Sequence, residues 1–250
     1  MTQVPSGGSP RRFVVRLAVV VTAVAGMAAC APDPAGDQGA AVKDLYEVFF
    51  YVAAGVFAVV AGLIGWSILR FRKKPGDTEE PVQTKHNLAL EITWFAIPTV
   101  IVVALFVLSA GTLGDVNDEH PDPTVTVRVE AFQWGWRFTY EGEAVVVEGL
   151  PEDPARIVLP VDEPLRFDLL SADVVHSFYV PRFLVKRDTI PGETNRLDYV
   201  IREEGTYDGE CAEFCGVLHD QMLFTLEAVP ADEFEQWLAE QRTENEDAGI

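Results

Sequence analysis

Two long apolar stretches dominate the first half of the chain. The first covers residues 45–69 and carries no charge after Glu47, and the second covers residues 92–113, with Trp94 and Pro98 near its start. At about 1.5 Å per residue, each stretch is long enough to cross the roughly 30 Å hydrocarbon core of a bilayer as a helix. Residues 45–114 are therefore predicted to form a two-helix transmembrane hairpin.

The charges beside these stretches predict how the hairpin lies in the membrane. Four cations follow the first stretch directly: Arg70, Arg72, Lys73 and Lys74. Because Lys and Arg are enriched in cytoplasmic loops, the loop between the two stretches is predicted to face the cytoplasm. Both chain termini, and the domain that follows the hairpin, are then expected on the outer face of the membrane.

The pattern changes beyond residue 115, where apolar residues alternate with polar ones as in half-buried strands. Pro and Gly separate these segments, and the spacing predicts an antiparallel sandwich or barrel for residues 115–241. An amphipathic helix over residues 231–241 closes this domain, and the polar residues 242–250 are predicted to form a disordered tail. The predicted strands are 124–131, 137–140, 144–147, 156–159, 165–170, 177–180, 196–201 and 223–229.

The N-terminus has the features of an export signal. Three arginines precede or enter an apolar run over residues 13–25, which is too short to span a bilayer. The following Met27-Ala28-Ala29-Cys30 resembles a bacterial lipoprotein cleavage box, which predicts a signal peptide over residues 1–30 and a lipidated Cys30. A plain signal peptide with an unmodified Cys30 is the alternative. Residues 31–44, rich in Pro, Gly and Ala, are predicted to form a flexible linker.

The net charge of −20 is concentrated in the second half of the chain. From residue 115 onward there are 31 acidic and 10 basic residues, whereas the preceding residues are nearly neutral in sum. Such an acidic domain repels nucleic acid and accelerates association with a basic protein partner. With three cysteines in the whole chain, a disulfide scaffold is excluded.

Soft metal ligands are concentrated in one short segment. Cys211, Cys215, His219 and Met222 fall within twelve residues, and the distant His176 offers a second imidazole. Thiolate, thioether and imidazole favour copper over hard cations, and structural zinc sites are built from Cys and His rather than Met. Because a mononuclear copper site of this type needs only one Cys, the set suggests two copper ions bridged by both thiolates. A Cys211–Cys215 disulfide is the structural alternative.

The same segment fills every position of the motif Cys-x-Glu-x-Cys-Gly-x-x-His-x-x-Met. In this the chain resembles subunit II of the haem–copper cytochrome c oxidases, over residues 45–237. The resemblance implies a membrane-anchored all-β protein, with a cupredoxin-like Greek-key β-barrel or sandwich after the hairpin. It also implies that the backbone carbonyl of Glu213 ligates copper, and that the Glu213 side chain reaches a Mg²⁺ ion shared with subunit I.

Two further segments carry the resemblance. Residues 91–98 match the signature Glu-x-x-Trp-x-x-x-Pro, which implies that Glu91 stands at the entrance of a proton channel through subunit I. A carboxylate that simply reaches the lipid headgroups is the alternative for Glu91. The run Gln133-Trp134-Gly135-Trp136 falls at an aromatic cluster of the family, which implies that Trp134 receives the electron from cytochrome c. Strand alternation predicts that Trp134 and Trp136 share one face, where packing in the core is the alternative.

The resemblance implies a function for the whole chain. It would be subunit II of a cytochrome c oxidase in a bacterial cell membrane, an oxidoreductase complex that reduces oxygen to water and translocates protons. It would accept electrons from a c-type cytochrome at the dicopper centre and pass them to haem in subunit I, alongside the other oxidase subunits. A membrane-tethered copper carrier or assembly factor is the alternative. A quinol oxidase subunit II would lack the copper ligands, and nitrous oxide reductase would need a large further domain.

Overall fold

Two long helices, α1 (Asp37–Arg70) and α2 (Leu88–Val116), form the predicted hairpin and pack against each other. The computed structural model describes residues 32–248 apart from 77, 79 and 81, so the predicted signal peptide and Cys30 lie outside the described residues. Both helices are long and apolar enough to cross a membrane. They extend for about 51 and 44 Å, more than the roughly 30 Å hydrocarbon core, so their ends project beyond it.

Helix α1 begins eight residues earlier than predicted. The segment before it is held by the β domain, because Ala35 donates its N–H to the Arg182 carbonyl and accepts from the Arg202 N–H, both at 2.8 Å. A Cβ on Gly36 would lie 2.0 Å from the Val200 carbonyl oxygen, so only glycine fits there. The flexible-linker prediction is therefore wrong for residues 35–44. The composition of this segment shows only that it is rich in Gly and Ala. It does not reveal that the segment contacts residues of the same chain more than 140 positions away.

The β domain is a sandwich of two five-stranded sheets. Its strands are β1 (Val125–Phe132), β2 (Gly135–Tyr140), β3 (Val145–Gly149), β4 (Ala155–Pro160), β5 (Pro164–Ser171), β6 (His176–Tyr179), β7 (Lys186–Thr189), β8 (Asn195–Val200), β9 (Gly205–Cys211) and β10 (Leu223–Val229). The first sheet has the order β3-β2-β1-β5-β8, and the second has the order β4-β10-β9-β6-β7. The sandwich confirms the predicted all-β domain behind the hairpin.

The pairing of the strands differs from the prediction in two places. Most neighbours are antiparallel, but β1 pairs with β5 and β4 pairs with β10 in parallel. Parallel neighbours need a long crossover, and the chain visits the opposite sheet between the members of each pair. The purely antiparallel prediction is therefore wrong for these pairs. The hydrophobic pattern also does not predict β7 or β9, because the first is mostly charged and the second contains two glycines.

Aromatic rings fill the space between the sheets. Phe178 of β6 packs against Phe224 of β10 and Phe167 of β5, with both pairs of ring centroids 5.0 Å apart. Trp136 of β2 completes the group with its ring 5.5 Å from that of Phe224, and all four rings are fully buried. Because the two sheets contribute alternating rings, the inner faces interdigitate as in other sandwiches. This aromatic core lies directly beneath one end of the domain, where β6 begins and β9 ends.

The chain closes with α3 (Ala231–Ala248), which packs on the sandwich through Phe234 and Leu238. It continues seven residues beyond the predicted end at residue 241. The prediction of a disordered tail over residues 242–250 is therefore wrong as far as Ala248. Glu, Gln, Arg and Ala are good helix formers, and an ion pair between Arg242 and Glu143 ties this part of the helix to the sandwich.

Candidate metal centre

The predicted ligands lie on two segments that the sheet brings together. His176 is the first residue of β6 and Cys211 is the last residue of β9. These strands pair antiparallel with Phe178 opposite Cys211, so residues 35 positions apart meet at one end of the sandwich. The loop after Cys211 leads to β10 through a 3₁₀ turn at His219–Gln221. This loop contains the remaining predicted ligands.

Six donor atoms converge at this end of the sandwich. The sulfur atoms of Cys211 and Cys215 are 3.8 Å apart. Four further donors surround them: His176 Nδ1 and the Glu213 carbonyl oxygen lie 3.9 and 3.2 Å from Cys211 Sγ, and His219 Nδ1 and Met222 Sδ lie 3.6 and 3.9 Å from Cys215 Sγ. The structure thus brings together every residue that the sequence predicts as a copper ligand.

Both cysteines are free thiols. Their separation is far longer than the roughly 2.05 Å of a disulfide, so the structure does not contain the alternative Cys211–Cys215 bridge. Burial alone would raise the pKa of Cys211, but hydrogen bonds with His176 and the backbone lower it to about 6. Burial and the neighbouring Cys211 charge instead raise the pKa of Cys215. One thiolate is therefore favoured without a metal, and bound cations would favour two.

Both nitrogens of the fully buried His176 ring have partners. While Nδ1 faces Cys211, Nε2 lies 2.9 Å from Asp173 Oδ1. Burial lowers the pKa of His176, but contacts with Cys211 and Asp173 outweigh it and raise the pKa above its usual value. A carboxylate on the second nitrogen fixes the orientation and tautomer of a ligating imidazole. No sequence motif marks Asp173 as the partner of His176, although its place three residues before the histidine is a usable signal.

Trp134 lies in the two-residue turn between β1 and β2 rather than in a strand. The predicted shared face with Trp136 is therefore wrong: Trp134 is half-buried at the rim, whereas Trp136 is fully buried in the core. Gly216 has a φ of +129°, and a Cβ there would lie 3.0 Å from Trp134 Cζ2. The indole ring thus rests against the backbone directly after Cys215.

Trp136 reaches the same site from below. Its Nε1 donates to the Met222 carbonyl at 3.3 Å, and its ring centroid is 6.5 Å from that of His176. The Met222 carbonyl also accepts from the Cys211 N–H at 3.1 Å. Trp136 therefore links the aromatic core to the ligand loop, a role that hydrophobic patterning does not distinguish from ordinary packing.

The Glu213 side chain pairs with Lys186. Its Oε2 lies 3.4 Å from Lys186 Nζ, and the carboxylate is half-exposed. Within the described part of the chain, the one group of His, Cys, Asp and Glu arranged to hold a metal ion is His176, Cys211 and Cys215. Glu213 does not belong to that group, so its contact with Mg²⁺ stays a prediction.

Glu91 stands in the first turn of α2, at the loop end of the hairpin. Asn87 caps this helix, since its Oδ1 accepts from the Leu90 N–H at 3.1 Å and its own N–H donates to Glu91 Oε1 at 3.2 Å. The same carboxylate oxygen lies 2.9 Å from His86 Nδ1. This reciprocal arrangement resembles a capping box and stabilises the start of the helix. Glu91 thus has a structural contact in addition to its predicted role.

The donor set fits a pair of copper ions. Two sulfur atoms 3.8 Å apart are closer than twice a typical metal–sulfur distance of about 2.3 Å, so one ion can contact both. Imidazole, thioether and carbonyl donors surround this sulfur pair, and soft ligands of this kind select copper. Both cysteines are almost fully buried, which would limit the access of water to a metal bound there.

Two protein-family models match the chain. The model for cytochrome c oxidase subunit II, periplasmic domain, matches residues 148–229. The model for cytochrome c oxidase subunit II, transmembrane domain, matches residues 25–110. The matches fall on the β domain and on the hairpin, which the hydrophobic pattern separates in the same way.

Relatives extend this match over most of the chain. The probable cytochrome c oxidase subunit 2 of Streptomyces coelicolor is 32% identical over an alignment of 245 residues, and the match covers 83% of this chain and 77% of the relative. The chain belongs to the cytochrome c oxidase subunit II family. Another family member, cytochrome c oxidase subunit 2 of Alkalihalophilus pseudofirmus, is 37% identical over 211 residues, which cover 82% of this chain and 60% of the relative.

One solved structure is also similar to this chain. The periplasmic domain of subunit II of cytochrome oxidase from Bradyrhizobium japonicum is 27% identical to this chain, with a TM-score of 0.47. The match covers 50% of this chain and 97% of that structure. Membership in the subunit II family confirms the resemblance that the motifs predict.

Proposed function

We propose that this chain accepts electrons for its oxidase at a dicopper centre held by the six converging donors. As a member of the subunit II family, the chain is a subunit of an oxidoreductase complex and is anchored in the membrane by α1 and α2. The observation that carries the proposal is the convergence of four further donors on two free, buried thiols. When bound, the copper pair supplies one-electron storage between a reduced c-type cytochrome and the haem of subunit I.

The residues of the site have distinct roles in this proposal. Cys211 and Cys215 would supply the two thiolates to the copper pair, and His176 and His219, 3.9 and 3.6 Å from these sulfur atoms, would supply the imidazoles. The Met222 thioether and the Glu213 carbonyl are the weaker ligands. Because β6, β9 and the loop between β9 and β10 hold these groups before a metal binds, little rearrangement would be needed when the charge of the centre changes.

Trp134 is the proposed point at which the electron reaches this chain. Its ring is half-buried and rests against Gly216, so one part of it is exposed to solvent while another part contacts the ligand loop. Phe214 and Val217, on the same loop, are 79% and 84% exposed and offer an apolar surface beside it. The acidic charge of the surrounding domain favours a basic donor such as a c-type cytochrome.

The membrane side supports further proposals. The cations after α1 favour a cytoplasmic loop, so the copper domain and both termini would lie outside. Glu91, in contact with His86, would stand at the cytoplasmic entrance of a proton channel through subunit I. Residues 1–30 would form an export signal, with Cys30 as a lipid attachment site. The half-exposed Glu213 carboxylate would complete a Mg²⁺ site whose other ligands come from subunit I.

Electron paramagnetic resonance with copper quantitation on the purified full-length chain tests the central proposal. Two coppers per chain with one unpaired electron shared equally between two spin-3/2 nuclei give seven hyperfine lines, and this is the expected result. A four-line spectrum from a single copper, or no retained copper, would contradict it and favour a membrane-tethered copper carrier or assembly factor.

A further inference from the structure

The turn that carries Trp134 has contacts with both ligand-bearing segments of the metal centre. It closes the β1–β2 hairpin of the first sheet, whereas the ligands come from β6, β9 and the loop after β9, at the end of the second sheet. Any contact between Trp134 and the ligands therefore depends on interactions between the two sheets. The residue before it, Gln133, makes the hydrogen bonds that do this.

Gln133 uses its backbone and its side chain for different segments. Its backbone N–H donates to Asp173 Oδ2 at 2.7 Å, and the other oxygen of Asp173 contacts His176 Nε2. Its side-chain Nε2 donates to the Cys215 carbonyl at 2.6 Å. One residue thus connects the turn to the His176 segment through Asp173 and to the cysteine loop directly.

Trp134 itself has no such connection. Its indole Nε1 is buried and finds no hydrogen-bond acceptor among the described residues. The orientation of the ring is therefore set by the turn and by its packing against Gly216, rather than by a hydrogen bond of its own. A Cβ on Gly216 would lie 3.2 Å from both Trp134 Nε1 and Gln133 Nε2, so ring, carboxamide and loop form one close contact.

From this geometry we propose that Gln133 is the positioning residue that holds the Trp134 ring against the cysteine loop. The inference rests on the proposed role of Trp134 in receiving the electron. Losing the carboxamide removes one hydrogen bond between neutral groups and leaves the backbone bond to Asp173, so the turn is loosened and the domain stays folded. Displacing a reacting group by about 1 Å can cost up to roughly a hundredfold in rate.

The test uses the assembled oxidase with Gln133→Leu, which removes the donor at similar size, and Gln133→Glu, which places a carboxylate against the Cys215 carbonyl. Gln236→Leu, the same change at an exposed position of α3, is the matched control. We expect reduction of the copper centre by a reduced c-type cytochrome to slow roughly tenfold in both Gln133 variants. Reduction by dithionite, the copper content and the hyperfine pattern should stay as in the wild type. Hydrogen exchange in residues 132–135 should become faster.

Each other outcome contradicts a defined part of the proposal. If the cytochrome-driven rate stays within twofold of the wild type while Trp134→Phe slows it, the positioning role is wrong and the role of Trp134 stands. If the Gln133 variants and Trp134→Phe all leave the cytochrome-driven rate unchanged, the proposed role of Trp134 fails and the inference fails with it. If the hyperfine pattern and the dithionite rate also change, Gln133 acts on the metal ligands themselves and not on Trp134.

Discussion

Two regions of the β domain are assembled from residues far apart in the sequence, but by different contacts. The ligand end carries the six donor atoms around Cys211 and Cys215. The β8 edge contains Asp198 of β8 with its partner Arg166, and Arg202 shortly after β8. At the ligand end, soft donors face one another, and hydrogen bonds such as that from Gln133 to the Cys215 carbonyl set their positions. At the β8 edge, ion pairs hold the chain: Arg166 binds both carboxylate oxygens of Asp198, at 2.8 and 2.7 Å. The donors of the ligand end can bind added metal cations, whereas at the β8 edge arginine side chains already supply the positive charge.

The β8 edge is also where the chain passes between the hairpin and the β domain. Asp198 accepts from the His120 N–H at 2.6 Å, just after α2, and Arg166 donates to the His120 carbonyl at 2.7 Å. On the other side, Arg202 binds both oxygens of Asp37, the first residue of α1, at 3.0 and 2.6 Å. Both connections to the membrane helices are thus attached within residues 198–202.

The largest expected effect is at the ligand end. Cys211→Ala removes one of two thiolates and should abolish the paired copper, because the remaining donors suit a single ion. Copper per chain should fall from two to one or fewer, and the seven-line spectrum should disappear, while the circular dichroism of the sandwich stays unchanged. Two coppers per chain with an unaltered spectrum in this variant would show that Cys211 is not a copper ligand.

The next effect is at the β8 edge. Arg166→Leu leaves the Asp198 carboxylate buried and unpaired, which costs about 3–5 kcal/mol in the free energy of unfolding. Denaturant unfolding of the metal-free chain measures this loss, and the copper spectrum of the folded fraction should not change. The double variant Arg166→Leu with Asp198→Leu should recover part of the loss, since no charge is then left unpaired. A single variant as stable as the wild type would show that this ion pair does not hold the edge.

The two regions differ in how much of them the sequence predicts. The ligand loop is a contiguous motif, and its residue types carry the chemistry, so the sequence alone predicts the cluster of Cys211, Cys215, His219 and Met222 that the structure brings together. The partners of Asp198 and Asp37 are ordinary arginines 32 and 165 residues away, and no local pattern marks them. For the same reason the docked start of α1 is predicted, wrongly, to be a linker.

The fold shows the same division. Strands with clear alternation are predicted closely, whereas the charged β7 and the glycine-containing β9 are not, because their pairing comes from neighbouring strands. The aromatic run from residue 132 to 140 looks like one alternating strand, but the turn at Gln133 and Trp134 interrupts it. That turn separates a rim tryptophan from a core tryptophan, a difference that depends on contacts with the distant Cys215 loop.

A third prediction concerns protonation at the ligand end. In the metal-free chain the pKa of Cys211 is lowered to about 6, whereas that of Cys215 is raised. Since the thiolate is the reactive form, alkylation of Cys211 should persist down to about pH 6 and fall about tenfold per pH unit below it. Alkylation of Cys215 should require alkaline pH. Peptide mass spectrometry over a pH series measures both profiles, and two equal midpoints near the ordinary thiol value of about 8.5 would contradict the asymmetry.

The smallest expected effect separates the two ion pairs of the β8 edge. The side chains of Arg202 and Asp37 are 49% and 53% exposed, so water and salt screen their attraction, and Arg202→Gln should cost no more than about 1 kcal/mol in the free energy of unfolding. High salt should reduce even this difference, whereas it should hardly change the effect of Arg166→Leu, whose pair is buried. Unfolding curves of both variants at low and high salt make the comparison. A loss for Arg202→Gln as large as that for Arg166→Leu would mean that the start of α1, rather than Asp198, is the main attachment of the β domain to its membrane helices.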